Sequence, residues 1–433
     1  MVNELLKFLE NAHSAFHAIQ EIKTMLDEAG YAELGECAKW QVAPGGKYYV
    51  TRNLSSIIAF QVPEDEAECF MISASHSDSP VFKIKENAEL EVRNRYIQLD
   101  TERYGGAILT SWLDRPLSFA GRVLVRTENG IETRLVDLDE DSLIIPNVAP
   151  HMKRDINDGM KYNLQTDMVP LYADFDAKGS FRARVAALAG AREEDILGHD
   201  LFLYSRVKPA QWGPKGEFIS AGRLDDLECA FTTAKGFVLS KPSAAISVMA
   251  VFDNEEVGST TKQGADSSFL MDVIERICLS MGIDRERFQR MRAASFMLSC
   301  DNAHAMHPNH PEFSDAANTV YMNEGIVVKE SANQKYTSDG VSKALFRDIM
   351  NRAGVPLQFF SNRSDMPGGG TLGNISNSHL SLNTVDIGLA QLSMHSTYET
   401  AGSKDVNYMI DGVKAFFESS VLTLGDGRYE TRS

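Results

Sequence analysis

Beyond residue 222 the sequence alternates between helical stretches and short runs that are almost entirely apolar. A strand that is apolar on both faces must be covered on both faces, which is typical of a parallel sheet between layers of helices. The pattern therefore predicts an α/β fold with a mostly parallel sheet flanked by helices. The segments are LECAFTTAKGFVLS (helix), AAISVMAVFD (strand), about 266–282 (helix), SFMLSCD (strand), 340–353 (helix) and LNTVDIGLA (strand).

The region before residue 216 has a different texture. From about 82 to 140 it is dense in strand-like runs separated by turn signals such as Asn129-Gly130, and 146–215 reads as polar, proline-containing loop. The 148 residues between His76 and Asp225 exceed any loop that a compact sheet needs. We therefore predict one discontinuous domain formed by residues 1–82 and 216–433, with a β-rich domain of residues 83–215 inserted into it.

Charge and cysteine usage restrict the classes of partner. The 433-residue chain carries 43 basic and 60 acidic side chains, a formal net charge of −17. Phosphate backbones and anionic membrane surfaces need a basic footprint, so the charge argues against nucleic-acid and membrane partners. No apolar run reaches 18 residues, and the five cysteines are scattered without C-x-x-C spacing. We therefore predict a globular protein of the cytoplasm with reduced thiols.

Polar side chains follow four of the most apolar strand candidates at the point where each strand ends. Ligands of open α/β sheets bind at the carboxyl ends of the strands, so these side chains are candidate site residues. A further carboxylate, Asp225, directly precedes a predicted helix. The residues at the four strand ends are His76, the pair Glu255 and Glu256, Asp301 and His395.

This set of imidazoles and carboxylates is what a hydrolase with two metal ions needs. Such ligands suit zinc, and two ions about 3.5–4 Å apart require one bridging carboxylate. A further carboxylate must stay unligated in order to take a proton from water. The consecutive Glu255 and Glu256 point in different directions and could divide these roles. Asp78, two residues after His76, could accept the free ring N–H of that histidine.

Each of these residues alone has an ordinary structural explanation. A single Asp or Glu at a strand end is more often a helix cap or a solvated side chain, and a single histidine is more often not a ligand. The ordered combination is what favours a metal site.

Other catalytic and cofactor motifs do not fit the sequence. The run 368–373 fits G-x-G-x-x-G, but it follows a polar stretch rather than an apolar strand, which argues against a dinucleotide site. H-E-x-x-H and G-x-S-x-G are absent from the sequence.

Five segments carry a resemblance to a known family: SASHSDSP, AGRLDDL, DNEEVGS, SCDNAHAMHPN and QLSMHS. In this order they resemble the metal-site motifs of the aspartyl aminopeptidase family, which belongs to the clan of co-catalytic di-zinc exopeptidases. The resemblance extends to YNLQTDMVPLY and NQKYTSDGVSKALFRDI, and so it spans nearly the whole chain. It implies that the larger domain is catalytic and that the inserted β-rich domain serves dimerisation.

The resemblance also implies a role for each motif residue. Asp225 is the bridging carboxylate, Glu255 is the general base, and Asp78 orients His76. Two divalent ions per chain are implied, most of all zinc, with cobalt and manganese as alternatives. Which ion is bound by Asp301 and which by Glu256 is left open. The implied metal ligands are His76, Asp225, Glu256, Asp301 and His395.

The implied substrates are small peptides with a free N-terminus, from which an acidic first residue is removed. Lys329 falls where the family places a lysine near the substrate carboxylate, and His151 resembles a family histidine that reaches an active site, including that of a neighbouring subunit. Dimers that assemble into a dodecamer are expected. The nearby His304, His307 and His310 are expected to be packing residues rather than principal ligands.

Two other readings stay open. A related two-metal amidohydrolase, such as a deacylase, or an aminopeptidase of broader specificity would use the same site. A non-catalytic peptide-binding or scaffold protein could keep the fold, although an intact Glu255 argues against it. A substrate panel distinguishes the first reading, and the metal content distinguishes the second.

Overall fold

The computed structural model describes residues 1–241 and 244–432. Its largest sheet has nine strands, and five of the eight pairings between neighbouring strands are parallel. The prediction of a mostly parallel sheet is therefore confirmed. In spatial order the strands are β1 (Ala32–Glu33), β2 (Lys47–Arg52), β3 (Ser56–Gln61), β13 (Ala245–Phe252), β4 (Cys69–His76), β14 (Phe296–Cys300), β18 (Asn383–Gly388), β16 (Ile326–Glu330) and β17 (Leu357–Ser361).

Helices cover both faces of this sheet, as the apolar runs predict. Every residue of β3, β4 and β13 is buried, and a separate hydrophobic core lies on each side of these strands. No helix among the described residues is long and apolar enough to cross a membrane. One core is packed by α1 (Val2–Asn11), α2 (Ala15–Glu28), α4 (Leu224–Leu239), α7 (Gly340–Ala353) and α9 (Asp405–Phe417), and the other by α5 (Phe269–Ser280), α6 (Arg285–Ala294) and α8 (Leu372–His379).

A second sheet of six antiparallel strands is formed between residues 81 and 205. It has a hydrophobic core of its own, against which α3 (Ser180–Leu188) packs through Phe181 and Val185. Its strands in spatial order are β8 (Gly130–Asp137), β7 (Leu117–Thr127), β10 (Ile196–Ser205), β5 (Val81–Val92), β6 (Tyr96–Tyr104) and β9 (Leu171–Asp174).

The inserted region is thus β-rich, but the expectation that 146–215 is mainly loop is wrong for its second part. Strands β9 and β10 and helix α3 lie there. Pro170 and Pro209 flank this stretch rather than interrupt it, so no proline blocks the sheet or the helix between them. The exact domain boundaries, 1–82 with 216–433 and 83–215, stay predictions.

A third sheet of five short strands lies next to the residues singled out in the sequence. Its strand β12 (Phe218–Ala221) leads into α4, and its strand β19 (Ala390–Leu392) precedes His395. The small sheet therefore positions two candidate ligands that the large sheet does not carry. Its strands in spatial order are β11 (Ala210–Trp212), β12 (Phe218–Ala221), β20 (Glu399–Gly402), β19 (Ala390–Leu392) and β15 (Ala303–His304), and a separate hairpin joins β21 (Ser420–Thr423) to β22 (Tyr429–Arg432).

Candidate metal centre

Three neighbouring strands of the large sheet end at the same place. Strands β13, β4 and β14 are adjacent and parallel, so their carboxyl ends lie side by side. His76 is the last residue of β4, and Asp301 follows β14 directly. Glu255 and Glu256 begin a short 3-10 turn (Glu255–Val257) that follows β13. The sheet topology therefore brings together four residues that the sequence separates by up to 225 positions.

Asp225 and His395 reach this edge from other elements. Asp225 lies at the start of α4 in a non-helical backbone conformation (φ −83°, ψ 107°) and is 3% exposed. His395 lies between β19 and β20 with a backbone φ of 70°, in the left-handed region that residues other than glycine rarely adopt. The side chain of Glu399 accepts hydrogen bonds from both backbone N–H groups, at 3.1 Å from Asp225 and 2.7 Å from His395. Glu399 thus ties the two residues to each other.

The candidate ligand atoms form two groups that share Asp225. One group contains His76, Asp225, Asp226 and Asp301, the other contains Asp225, Glu256 and His395, and within each group the ligand atoms lie within 4.8 Å of one another. The two oxygens of Asp225 face in different directions. Oδ1 lies 3.6 Å from His76 Nε2, and Oδ2 lies 3.3 Å from His395 Nε2. This is the arrangement that a bridging carboxylate requires.

The grouping also bears on the question that the sequence leaves open. Asp301 lies with His76, whereas Glu256 lies with His395, whose Nε2 is 3.5 Å from Glu256 Oε1. Asp226, the fourth member of the His76 group, also contacts the backbone: its Oδ2 accepts the N–H of His76 at 3.0 Å. That hydrogen bond fixes the end of β4.

The donor set fits zinc. Each group offers one imidazole nitrogen together with carboxylate oxygens, which are ordinary zinc ligands. Asp225 Oδ1 is buried and has no hydrogen-bond partner among the described residues. A buried, unpaired carboxylate oxygen is costly, and a cation held by the group that contains His76 would remove that cost. The residues that are present therefore suit one divalent cation per group.

The charges of the site lead to the same conclusion. Burial, Asp225 and neighbouring acids raise the pKa of Glu256 well above its ordinary value. Burial would lower the pKa of His76, but the nearby Asp226 and Asp78 outweigh it and raise that pKa. Burial also raises the pKa of Asp301, although Lys329 opposes the shift. Carboxylates packed this closely cannot all ionise without cations among them.

Asp78 connects both groups. Its Oδ1 lies 3.3 Å from His76 Nδ1, and its backbone oxygen lies 3.1 Å from the same atom. The carboxylate also accepts the backbone N–H groups of Glu255 and Glu256, at 3.1 and 3.2 Å, and the hydroxyl of Tyr104 at 2.6 Å. Asp78 therefore contacts His76 through both its backbone and its carboxylate, and it also holds the turn that carries the two glutamates; that it orients His76 stays a prediction.

Glu255 belongs to neither ligand group among the described residues. Its side chain is half-buried, and burial together with Asp301 and Asp78 raises its pKa to about 7, although His76 opposes the shift. A carboxylate with a pKa near neutrality can take up and release a proton during a reaction.

The two residues predicted to bind substrate lie in different settings. Lys329 is buried in β16. Its Nζ donates to the backbone oxygen of Asp301 at 2.7 Å and lies 3.5 Å from Asp301 Oδ2. His151 is exposed in the segment after Ile145. Their roles with substrate stay predictions.

Two of the three histidines expected to be packing residues, His304 and His307, line a surface cavity of about 270 Å³ with Phe313.

Three contributors were missed in the sequence. Tyr104 holds Asp78, Glu399 holds Asp225 and His395, and Gly106 accepts a hydrogen bond from His395 Nδ1 at 3.1 Å. An acid four residues after a candidate histidine ligand was the available signal for Glu399. Tyr104 and Gly106 lie in the inserted region, and periodicity gives no indication that they approach the centre.

The chain is similar to known proteins over nearly its whole length. The profile of the family described as aminopeptidase I zinc metalloprotease (M18) matches residues 8–417. A probable M18 family aminopeptidase 2 of Clostridium novyi (strain NT) is 45% identical over 424 residues, which cover 96% of this chain and 97% of that protein. Its counterpart in Clostridium acetobutylicum is also 45% identical, over 422 residues that cover 96% of this chain and 98% of that protein.

Solved structures share the fold. A cryo-EM structure of Ape4 in complex with Nbr1 superposes with a TM-score of 0.92 at 33% identity, covering 96% of this chain and 85% of that chain. The mApe1 dodecamer of S. cerevisiae superposes with a TM-score of 0.85 at 27% identity, covering 96% of each chain.

Proposed function

The chain belongs to the M18 family of zinc aminopeptidases, and on that premise we propose that it removes acidic N-terminal residues from peptides at a centre of two metal ions. The observation that carries the proposal is the position of Asp225, which is common to both groups of ligand atoms. A related two-metal deacylase would need the same centre, so the substrate is what distinguishes the two.

We assign the ligands from the two groups. His76 and Asp301 would hold one ion, Glu256 and His395 the other, and Asp225 both. Zinc is the first choice because the donors are nitrogen and oxygen, with cobalt and manganese as alternatives. When bound, the two ions would supply positive charge to the scissile carbonyl and to the attacking water.

Glu255 would act as the general base. It stands next to the ligands without belonging to either group, and burial raises its pKa to about 7. Its carboxylate would take the proton of the attacking water and pass it to the amine that leaves. Asp78 would keep the glutamate in place, because it accepts the backbone N–H of Glu255.

The preference for Asp or Glu needs a cation beside the centre. Lys329 is the candidate for this cation. Burial opposes the charge of its ammonium, but Asp301 and other acids outweigh burial, raise the pKa above its ordinary value and keep the ammonium charged. We propose that Lys329 attracts the substrate side-chain carboxylate and that His151 contributes to this or to a neighbouring subunit's site.

A homo-oligomer is part of the proposal. The inserted sheet would form the dimer, and dimers would assemble into a dodecamer; a structural relative, mApe1, is a dodecamer. Analytical ultracentrifugation tests this, and the mass of a single chain would exclude it. The cytoplasmic location stays a prediction.

A substrate panel tests the activity. Metal-loaded protein is given p-nitroanilides of Asp, Glu, Leu and Lys together with an N-acetyl amino acid, and a chelated sample is run beside it. We expect Asp and Glu to be cleaved fastest and chelation to abolish the rate. Faster cleavage of Leu would keep the aminopeptidase but remove the role of Lys329. Hydrolysis of the N-acetyl compound alone would favour the deacylase.

A further inference from the structure

One segment of the inserted region runs along the metal centre. It comprises residues 105–111, directly after β6, and we call it the 105–111 segment. The backbone N–H of Ile108 donates to the backbone oxygen of His395 at 3.0 Å. Ser111 is bound twice by Thr397, whose N–H donates to Ser111 Oγ at 3.0 Å and whose hydroxyl donates to Ser111 O at 2.7 Å. The segment thus holds the backbone on which His395 is placed.

The same segment fixes the imidazole ring. His395 Nδ1 lies 3.1 Å from the backbone oxygen of Gly106. A carbonyl oxygen can only accept, so Nδ1 carries a proton, and in the neutral ring Nε2 then presents its lone pair. Nε2 is the atom that lies 3.3 Å from Asp225 Oδ2 and 3.5 Å from Glu256 Oε1. The carbonyl of Gly106 therefore selects the tautomer that can bind a metal ion.

The two glycines leave little room for a side chain. A Cβ atom at Gly106 would lie 3.3 Å from His395 Nδ1, closer than most real Cβ contacts. A Cβ atom at Gly105 would lie 3.2 Å from Glu256 Cβ, and the φ of 72° at Gly105 also favours glycine. The segment therefore packs against both Glu256 and His395.

His76 and Asp301 have a different support. His76 ends β4, which is paired on both sides with β13 and β14. The backbone N–H of Asp301 is bound by Ile387 of the neighbouring β18. Both residues are therefore fixed by the large sheet.

We infer that the 105–111 segment is a positioning element for the Glu256–His395 half of the centre, acting mainly through His395, so that the binding of one of the two divalent cations depends on the inserted region. The inference rests on the proposed two-metal function. Partners that orient a ligating histidine are typically worth about 10- to 100-fold in metal affinity.

Gly106→Ala tests the inference, because it adds one methyl group against the ring of His395. The matched control is Gly198→Ala in β10 of the same sheet, where a Cβ atom would meet nothing within 4 Å. Zinc stoichiometry and affinity are measured in chelator-buffered titrations of the full chain. We expect Gly106→Ala to weaken one ion about 10- to 100-fold and leave the other unchanged, with Gly198→Ala matching the wild type at both.

The outcomes separate this inference from the proposed function. If the wild type binds two ions and Gly106→Ala binds both with wild-type affinity, or loses affinity for both equally, the inference alone is overturned. A wild type that binds fewer than two ions overturns both. Thermal unfolding checks the fold of the variants. If Gly106→Ala does not fold, Ser111→Ala, which removes the hydroxyl acceptor of the Thr397 N–H, must weaken the same single ion for the inference to hold.

Discussion

The two halves of the proposed metal centre are built differently. In one half, His76 and Asp301 are at the ends of central strands, and the His76 side chain is 1% exposed. In the other half, Glu256 lies in a 3-10 turn and His395 in a connection with positive φ, and the His395 side chain is 29% exposed. One half is thus fixed by a sheet, and the other by side-chain and loop contacts.

The difference has a physical consequence for metal binding. Strands that are paired on both sides open only with the whole fold, whereas loops open locally at a lower cost in free energy. A ligand on a loop must therefore be ordered by specific partners. Those partners are Asp78, Glu399 and Gly106, and each of them accepts a hydrogen bond from the Glu256–His395 half. We expect the two halves to respond differently to substitutions, except where a residue serves both.

Asp225→Asn removes the residue that both halves share, so it should abolish the difference between them. The amide lacks the charge and one oxygen that bridge the two groups, and we expect both ions and the aminopeptidase activity to be lost. The expected fall in kcat/KM is about 10⁴-fold or more. Metal analysis and peptide hydrolysis measure the two effects.

The matched control is Asp100→Asn, whose carboxylate pairs with Lys85 in the inserted sheet at 2.9 Å. It should keep the metal content and activity of the wild type. An Asp225→Asn variant that retained one tightly bound ion would show that this carboxylate serves only one half.

Glu255→Gln should leave both halves intact and still remove most of the activity. The amide keeps the shape of the side chain but cannot accept a proton from water, so we expect kcat to fall about 10²- to 10⁴-fold with two ions retained. Steady-state kinetics and metal analysis of one preparation measure both. The control is Glu286→Gln on α6, where the side chain is 73% exposed. Loss of an ion from Glu255→Gln would make Glu255 a ligand instead of the base.

Tyr104→Phe should affect both halves to a similar, smaller extent. The substitution removes the hydroxyl, which donates to Asp78 and accepts from Asn254 Nδ2 at 2.8 Å, while the ring keeps its edge-on contact with Phe202. Asp78 retains its hydrogen bonds from Glu255 and Glu256, so we expect kcat to fall about tenfold with KM nearly unchanged.

Tyr204→Phe is the matched control, because its hydroxyl donates to Asp137 at 2.7 Å in the same sheet and not to Asp78. Kinetics of both variants on an acidic substrate provide the comparison. An equal loss in both variants would mean that the tyrosines act through the stability of the inserted sheet and not through Asp78.

The fold and the candidate residues of the site could be predicted from local sequence. His76, Glu256, Asp301 and His395 were candidates because they stand at the ends of apolar runs, and parallel pairing places such ends together. Asp225 was a candidate because it precedes a predicted helix, and the role of each residue came from the motif in which it stands. Which ligands share an ion could not be predicted, because it depends on side-chain directions at the ends of different elements.

The supports of His395 could not be predicted for a different reason. Gly106 and His395 are 289 residues apart. The acceptor is a backbone carbonyl, which every residue has, so the residue type does not indicate the hydrogen bond. The inserted region was identified by its length and strand pattern, which say nothing about where its loops return to the sheet. The polar residues and prolines of 146–215 also led to the prediction of a loop where α3 and β10 lie. Such long-range contacts become visible only in the folded chain.

Glu228→Gln should change neither half of the centre, only the stability that both depend on. Glu228 is fully buried, and its Oε2 accepts a hydrogen bond from the side-chain amide of Asn302 at 3.1 Å. Burial raises the pKa of Glu228 from 4.5 to about 8, although the hydrogen bond from Asn302 opposes the shift. The folded chain therefore keeps a proton that the unfolded chain releases above pH 4.5. Wild-type stability should fall as the pH rises from about 4.5 to 8, and glutamine, which cannot ionise, should remove this dependence.

The expected stabilisation by Glu228→Gln is about 3 kcal/mol at pH 7, and it should vanish near pH 4.5. Urea unfolding of both proteins at each pH, with the same zinc concentration, gives the difference and cancels the pH dependence of metal binding. A stability difference that is constant across this range would mean that Glu228 is already ionised in the folded chain. A matching loss of one ion would instead place Glu228 among the supports of the centre, because Asn302 directly follows the proposed ligand Asp301.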